Sequence, residues 1–155
     1  MFLILAGCGM QLRLLCNLFD GMVAVEGGFK TKAGELFNEL PDRFSDAFIL
    51  IGAGYALPDF PRTDELGWAA AVVALITAYV RALGASMGAG QHFVGPMAKQ
   101  QRMAVMTVAS LVAAFAPCWP ELAKAIPFAL ALVILGGLVT VFRRCLRIAG
   151  TMEAK

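Results

Sequence analysis

Charge is scarce in this chain. Asp, Glu, Lys and Arg make up only 15% of its 155 residues, where a soluble domain carries about a quarter. The shortage excludes a disordered chain and a basic nucleic-acid-binding domain, and very nearly excludes an ordinary soluble enzyme. Thirteen basic and 11 acidic side chains leave a net charge of +2, too small to imply a polyanionic partner such as nucleic acid. Histidine occurs once, and the four cysteines (Cys8, Cys16, Cys118, Cys145) lack metal-ligand spacing. Buried, reduced thiols are the expectation for all four. Sustained strand-like alternation is also missing. Apolar residues fill the chain instead: 59% are hydrophobic, and the mean hydropathy is +0.73. Residues 1–155 therefore read as a single membrane-embedded domain.

A helix crosses a bilayer with roughly 20 mostly apolar residues. Leu66–Gly84, Met103–Trp119 and Ile126–Phe142 qualify, and Phe44–Leu57 does so as the continuation of a helix that starts near Gly34. Met1–Phe19 is a fifth candidate, interrupted by Arg13 and Asn17. Pro58, Asp59 and Pro61 close the second span, and Pro117 and Pro120 the fourth. Trp68 and Trp119 stand near span ends, as interfacial anchors do. The expected fold is all-α: a polytopic transmembrane helical bundle of about five spans.

Lys30, Lys32, Arg43, Arg81, Lys99, Arg102, Arg143, Arg144, Arg147 and Lys155 fall on one side of these spans, and only Arg62 and Lys124 on the other. The positive-inside rule makes the first side cytoplasmic. Leu5-Ala6-Gly7-Cys8 matches a bacterial lipoprotein cleavage pattern. No positive residue precedes it and the apolar run before Cys8 is too short, so the segment reads as membrane helix.

The few polar residues are not scattered. Asn17, Asp20 and Gly21 close the first span, while Glu35, Asn38, Glu39, Asp42 and Asp46 open the second. Asn17 and Asp20 are one helical turn apart, and Gly34, Asn38, Asp42 and Asp46 recur every fourth residue along one face. Asp20 is expected at a helix end, where the dipole disfavours it. Two such faces joined by a cytoplasmic loop can bring Asp20 and Asp42 together. Oxygen donors without Cys or His suit hard cations such as Mg²⁺ or Mn²⁺. Ionisable groups within membrane segments default to function.

The stretch from Asn17 through Asp20-Gly21, Ala24-Val25, Gly34 and Asn38 to Asp42 resembles the signature of the CDP-alcohol phosphatidyltransferases, D-x-x-D-G-x-x-A-R-x8-G-x3-D-x3-D. Spacing agrees throughout, and Asp20, Gly21, Ala24, Gly34 and Asp42 agree in identity. Asn17 and Asn38 stand where the family has aspartates, and Val25 where it has arginine. A branch carrying N-x-x-D-G followed by N-E-x-x-D-x-x-S-D is similar around Leu40, Pro41 and Ser45.

The resemblance implies an integral membrane enzyme that transfers a phosphatidyl group from a CDP-alcohol to an acceptor hydroxyl and releases CMP. It also implies Mg²⁺ or Mn²⁺ held by Asn17, Asp20, Asn38 and Asp42, with Asp42 also the general base. Gly21, Ala24 and Gly34 would line the nucleotide site. Lys99 and Arg102, from the Gly- and Pro-containing segment that includes His92, would grip an acceptor phosphate. Glu39 and Asp46 would restore charge to the metal set, and Arg13 would pair with Asp20 or a lipid phosphate. A homodimer in a bacterial inner membrane, with the site facing the cytoplasm, completes the expectation. Family members have six helices, so five spans suggest that the first is missing. A catalytically degenerate scaffold or ligand-binding relative is the alternative, and a small solute carrier a weaker one.

Overall fold

The computed structural model describes residues 1–27, 34–57, 60–90 and 94–154, apart from the side chains of Ala24, Val25 and Glu35. The elements are α1 (Phe2–Glu26), α2 (Gly34–Tyr55), α3 (Thr63–Ser86), α4 (Lys99–Ala113), a 3-10 turn (Pro120–Lys124) and α5 (Ala125–Glu153). The fold is all-α. Three segments, Phe2–Val23, Thr63–Ser86 and Pro120–Glu153, are long and apolar enough to cross a membrane. Large side chains such as Phe2, Leu12, Leu18, Phe128, Leu135 and Phe142 are exposed along them, an apolar belt that lipid would cover.

Several expected limits move. α1 does not stop near Phe19 but continues to Glu26, because the first breaker on its path is the glycine pair Gly27-Gly28. The Gly27 N–H caps it by donating to Val23 O at 2.9 Å. Asp20 therefore lies within the helix, and the argument from an unfavourable helix end does not apply to it. α4 stops at Ala113, short of Trp119. Pro117 disfavours helical geometry at Ala116 and offers no N–H, so the chain turns before it. α5 runs to Glu153, which puts Arg143, Arg144 and Arg147 on a helix and not in a tail. All four cysteines are free, but they are exposed and not buried.

The chain runs up and down. α1 lies on α4, α2 on α3, and α5 against α3 and α4. Small residues (Ala70, Ala71, Ala74, Ala109, Ala113 and Ala129) fill the core beside Met103, Met106, Leu130 and Val133. Without large side chains between them, the backbones approach closely, which is how helices associate where lipid removes the hydrophobic drive. Gln11 Nε2 donates to Thr107 Oγ1 at 2.9 Å and ties α1 to α4.

A close backbone-to-backbone approach joins α2 to α3. A Cβ on Gly67 would sit 2.8 Å from Leu50 O and 2.9 Å from Gly54 Cα, both backbone atoms that cannot rotate away. Gly67→Ala is expected to destabilise the bundle by about 1–3 kcal/mol, the usual cost of overpacking. Thermal unfolding in detergent measures it, and an unchanged midpoint would refute the close crossing. Near this end Trp68 Nε1 donates to Tyr55 Oη at 3.3 Å. The opposite end carries the start of α2 and α4 and the later parts of α1, α3 and α5, and there the polar residues collect.

Candidate functional site

α1 and α2 meet through side chains at this end. Asp42, 13% exposed, stands at the centre. Its Oδ1 accepts from Arg13 Nη2 at 3.0 Å and from Asn17 Nδ2 at 3.0 Å, and its backbone oxygen accepts from Arg13 Nη2 at 3.1 Å. Its Oδ2 accepts from Lys99 Nζ. Arg13 and Asn17 are one turn apart on α1, so a single helix face presents both, while Lys99 comes from the first turn of α4. Burial alone would raise the Asp42 carboxyl, but Lys99 and then Arg13 outweigh it and hold the group below its ordinary value. Asp42 lies outside the three segments long and apolar enough to cross a membrane.

One turn further along α2, Asp46 is buried between two arginines. Arg13 Nη2 lies 2.7 Å from its Oδ1 as an ion contact, and Arg102 Nη2 donates to its Oδ2 at 2.9 Å. Arg102 is itself 2% exposed. Its Nη1 donates to Thr77 Oγ1 at 3.0 Å and to Met97 O at 3.3 Å, while its Nε has no acceptor. Arg144 donates through Nη1 to Thr77 O at 2.6 Å and through Nε to Val94 O at 3.1 Å. The segment before α4 is locked in turn by Met97 N donating to Thr140 Oγ1 at 3.0 Å. Gly95 makes that lock possible: its φ is +133° and a Cβ there would be 2.4 Å from Thr140 Cγ2, which no L side chain tolerates.

Two cavities lie beside this cluster, and Asp42 lines the first. One, of about 200 Å³, is lined by Arg43, Arg81, Lys99, Arg102 and Arg144 against Glu39 and Asp42, with Thr77 and Gln100 among its other walls. Five cations facing two carboxylates make it an anion-favouring recess. The other, of about 570 Å³, is lined by Asn17, Gly21, Met22, Glu26, Lys99 and Gln100 with apolar residues of α1. Lys99 and Gln100 border both.

The expected site residues divide accordingly. Asn17, Asp42, Lys99 and Arg13 come together. Among the described residues Arg13 pairs with Asp42 and Asp46, however, and not with Asp20. Asp46 is consumed by Arg13 and Arg102, so it cannot add charge to a metal set. Glu39 is likewise paired, with Arg43 at 3.0 Å and Arg81 at 2.6 Å. Asp20 and Asn38 are exposed, and no described residue donates to Asp20. Gly21 borders open space, since a Cβ there would meet nothing within 4 Å; it is a cavity glycine and not a helix-packing one. Gly34 opens α2 and Ala24 lies in the last turns of α1. His92 is outside the described residues.

Sequence reasoning missed Thr77, whose side chain and carbonyl bridge Arg102 and Arg144. A hydroxyl one turn before Arg81 in an apolar span was the available signal. Arg143 and Arg144 were indistinguishable by sequence; the helix exposes Arg143 and buries Arg144.

These donors do not fit a Mg²⁺ or Mn²⁺ centre. Among the described residues no three His, Cys, Asp or Glu side chains converge. Two of the four motif positions are neutral amides, and both oxygens of Asp42 already face donors, two of them cationic. A hard cation needs open, anionic oxygen.

Because the folded Asp42 carboxyl titrates below its unfolded value, its link to α1 is fully present above the ordinary carboxylate range. The link is lost only as pH falls through the lower, folded value. Protection of the α1 amides, taken as exchange relative to the intrinsic rate at each pH, is therefore expected to stay constant from neutral pH down to about pH 4 and to fall in stronger acid. A fall already near neutrality would contradict the ion-paired Asp42.

No family model matches the chain, and no solved structure matches it. A protein from Aquifex aeolicus (strain VF5), described as an uncharacterized protein, is 28% identical over 159 residues, covering 99% of this chain and 73% of the relative.

Proposed function

We propose that this protein is a multi-pass transferase of the cytoplasmic membrane. In this reading it moves a phosphatidyl (phosphoalcohol) group from a CDP-alcohol such as CDP-diacylglycerol to an acceptor hydroxyl, releasing CMP in phospholipid synthesis. One observation carries the reading: the two halves of the Asn17–Asp42 signature touch, Asn17 to Asp42, between an anion-favouring recess and a larger cavity that share Lys99. α2 and α4 complete a five-span bundle, and the excess of cations turns the site toward the cytoplasm. A homodimer and surrounding lipid belong to the same reading.

The chemistry asks for little. The diphosphate of the CDP-alcohol lies in the cavity beside Asn17 and Gly21, with Lys99 on its oxygens. The acceptor enters the recess, where Arg43, Arg81 and Arg144 hold its anionic group. Asp42, ionised because Lys99 and Arg13 hold it so, accepts the hydroxyl proton as the new P–O bond forms and the bond to CMP breaks. Once the cations turn to the diphosphate, the carboxyl regains ordinary basicity. The resemblance would add Mg²⁺ or Mn²⁺, but the donors do not fit it, and no step here passes through a metal.

A degenerate, non-catalytic relative is the second reading, favoured by the amides at 17 and 38 and by the full engagement of Asp42. CMP release from CDP-diacylglycerol by protein in lipid nanodiscs separates the two. Glycerol phosphate, inositol phosphate, serine and phospholipid headgroup alcohols serve as acceptors. Release that depends on one of these acceptors is expected; none with any of them would leave the scaffold reading.

A further inference from the structure

We propose that in this chain the guanidinium of Arg13 and the ammonium of Lys99 do the work of a divalent cation, so that the site binds a CDP-type diphosphate without metal. The inference rests on the transferase reading of the same site. Its starting point is Asn17. The amide nitrogen donates to Asp42 Oδ1 at 3.0 Å, a bond an aspartate at position 17 could not make. Two carboxylates at that separation would repel each other and need a cation between them. An amide removes the need, and the space on Asp42 goes to protein cations instead.

Both cations keep donors in reserve. Arg13 directs Nη2 at Asp42 and Asp46, and its Nη1 meets only the weak acceptor Met103 Sδ at 3.7 Å. Lys99 gives one hydrogen to Asp42 and retains two. Its side chain is 21% exposed, and it borders both cavities, so it reaches a diphosphate without leaving its helix. Asp42 is then a holder of cations in the free protein: it keeps Lys99 and Arg13 oriented, and a diphosphate brings them two charges where Asp42 offers one, while Arg13 Nη2 stays on Asp46. A metal ion brought to the same place would have to displace two cations from one carboxylate.

Two measurements test this, neither of them an activity. The first is the affinity of metal-stripped protein in nanodiscs for CDP-diacylglycerol, with chelator or with millimolar Mg²⁺ or Mn²⁺. Equal affinity in both conditions is expected. Lys99→Met should weaken binding by roughly 10- to 100-fold, the worth of a charge-assisted hydrogen bond. Arg13→Met should act in the same direction, with Arg13→Lys recovering part of the loss and thermal unfolding certifying that each variant folds. The second is Mn²⁺ alone, followed by electron paramagnetic resonance. No tight site is expected in the natural chain, and one is expected in the Asn17→Asp, Asn38→Asp double variant. Binding that vanishes in chelator and returns with Mg²⁺ or Mn²⁺ overturns this proposal and leaves the transferase reading standing. Failure to bind the CDP-lipid under either condition overturns both.

Discussion

CMP release from the Asp42→Asn variant is expected to fall by about 10²- to 10⁴-fold, the usual contribution of a positioned general base. The substitution is nearly isosteric. Its remaining carbonyl oxygen can still accept from Arg13 and Asn17, so the α1–α2 contact loses its charge component but keeps a hydrogen bond, while the proton acceptor is gone. Lys99 loses its carboxylate and faces an amide. The apolar core, to which α2 contributes Leu50 and not Asp42, is untouched, so the bundle should unfold close to its natural temperature. That combination distinguishes a chemical role from a structural one. Undiminished CMP release would remove Asp42 from the reaction and with it the transfer mechanism derived above. An equal loss of stability and activity would reassign the residue to architecture.

The opposite pattern is expected one turn further along α2. Arg102→Ala should destabilise the protein by roughly 3–5 kcal/mol, because removing one member of a buried pair strands the other charge. Asp46 would keep only Arg13, and Thr77 Oγ1 and Met97 O would lose a donor. Burial pulls the Arg102 guanidinium below its usual value, and only Asp46 opposes that pull, so the pair stands or falls together. The double variant Arg102→Met, Asp46→Leu should recover most of the lost stability, since apolar replacement of a buried ion pair is often neutral or better. Chemical unfolding of the three variants in detergent closes the cycle. Equal stability of Arg102→Ala and the natural protein would show that the pair holds nothing together. The expected result makes Arg102 first a strut between α2, α3 and α4, and only through the shape of the recess a partner of any ligand.

Much of this architecture was legible in the residues. Three apolar runs correspond to membrane-length helices because hydropathy and the helical rise are local properties. Among the described residues α2 runs from Gly34, and Pro61 lies in the turn just before α3; both were legible in the same way. Limits were less secure. Asn17 and Asp20 looked like a terminus, yet α1 passes through both to its cap at Gly27, since scattered polar residues do not break a helix. The site was legible by spacing as far as Asn17 and Asp42. Spacing could not say which donor meets which acceptor. Arg13 choosing Asp42 and Asp46 over the nearer-in-sequence Asp20, and Glu39 choosing Arg43 and Arg81, depend on how far apart α1, α2 and α3 stand.

The sequence by itself determined a helical chain with runs long and apolar enough to cross a membrane and with its acids concentrated in the second half of α1 and the first half of α2, because burial preference and periodicity are written residue by residue. Only the tertiary structure decided what those acids face. Asp42 is saturated by Arg13, Asn17 and Lys99, Asp46 is sealed between two arginines, and Arg144, not Arg143, turns into the recess. Charge interactions fall off with distance and rise with burial, and both quantities exist only once four separate helices have packed.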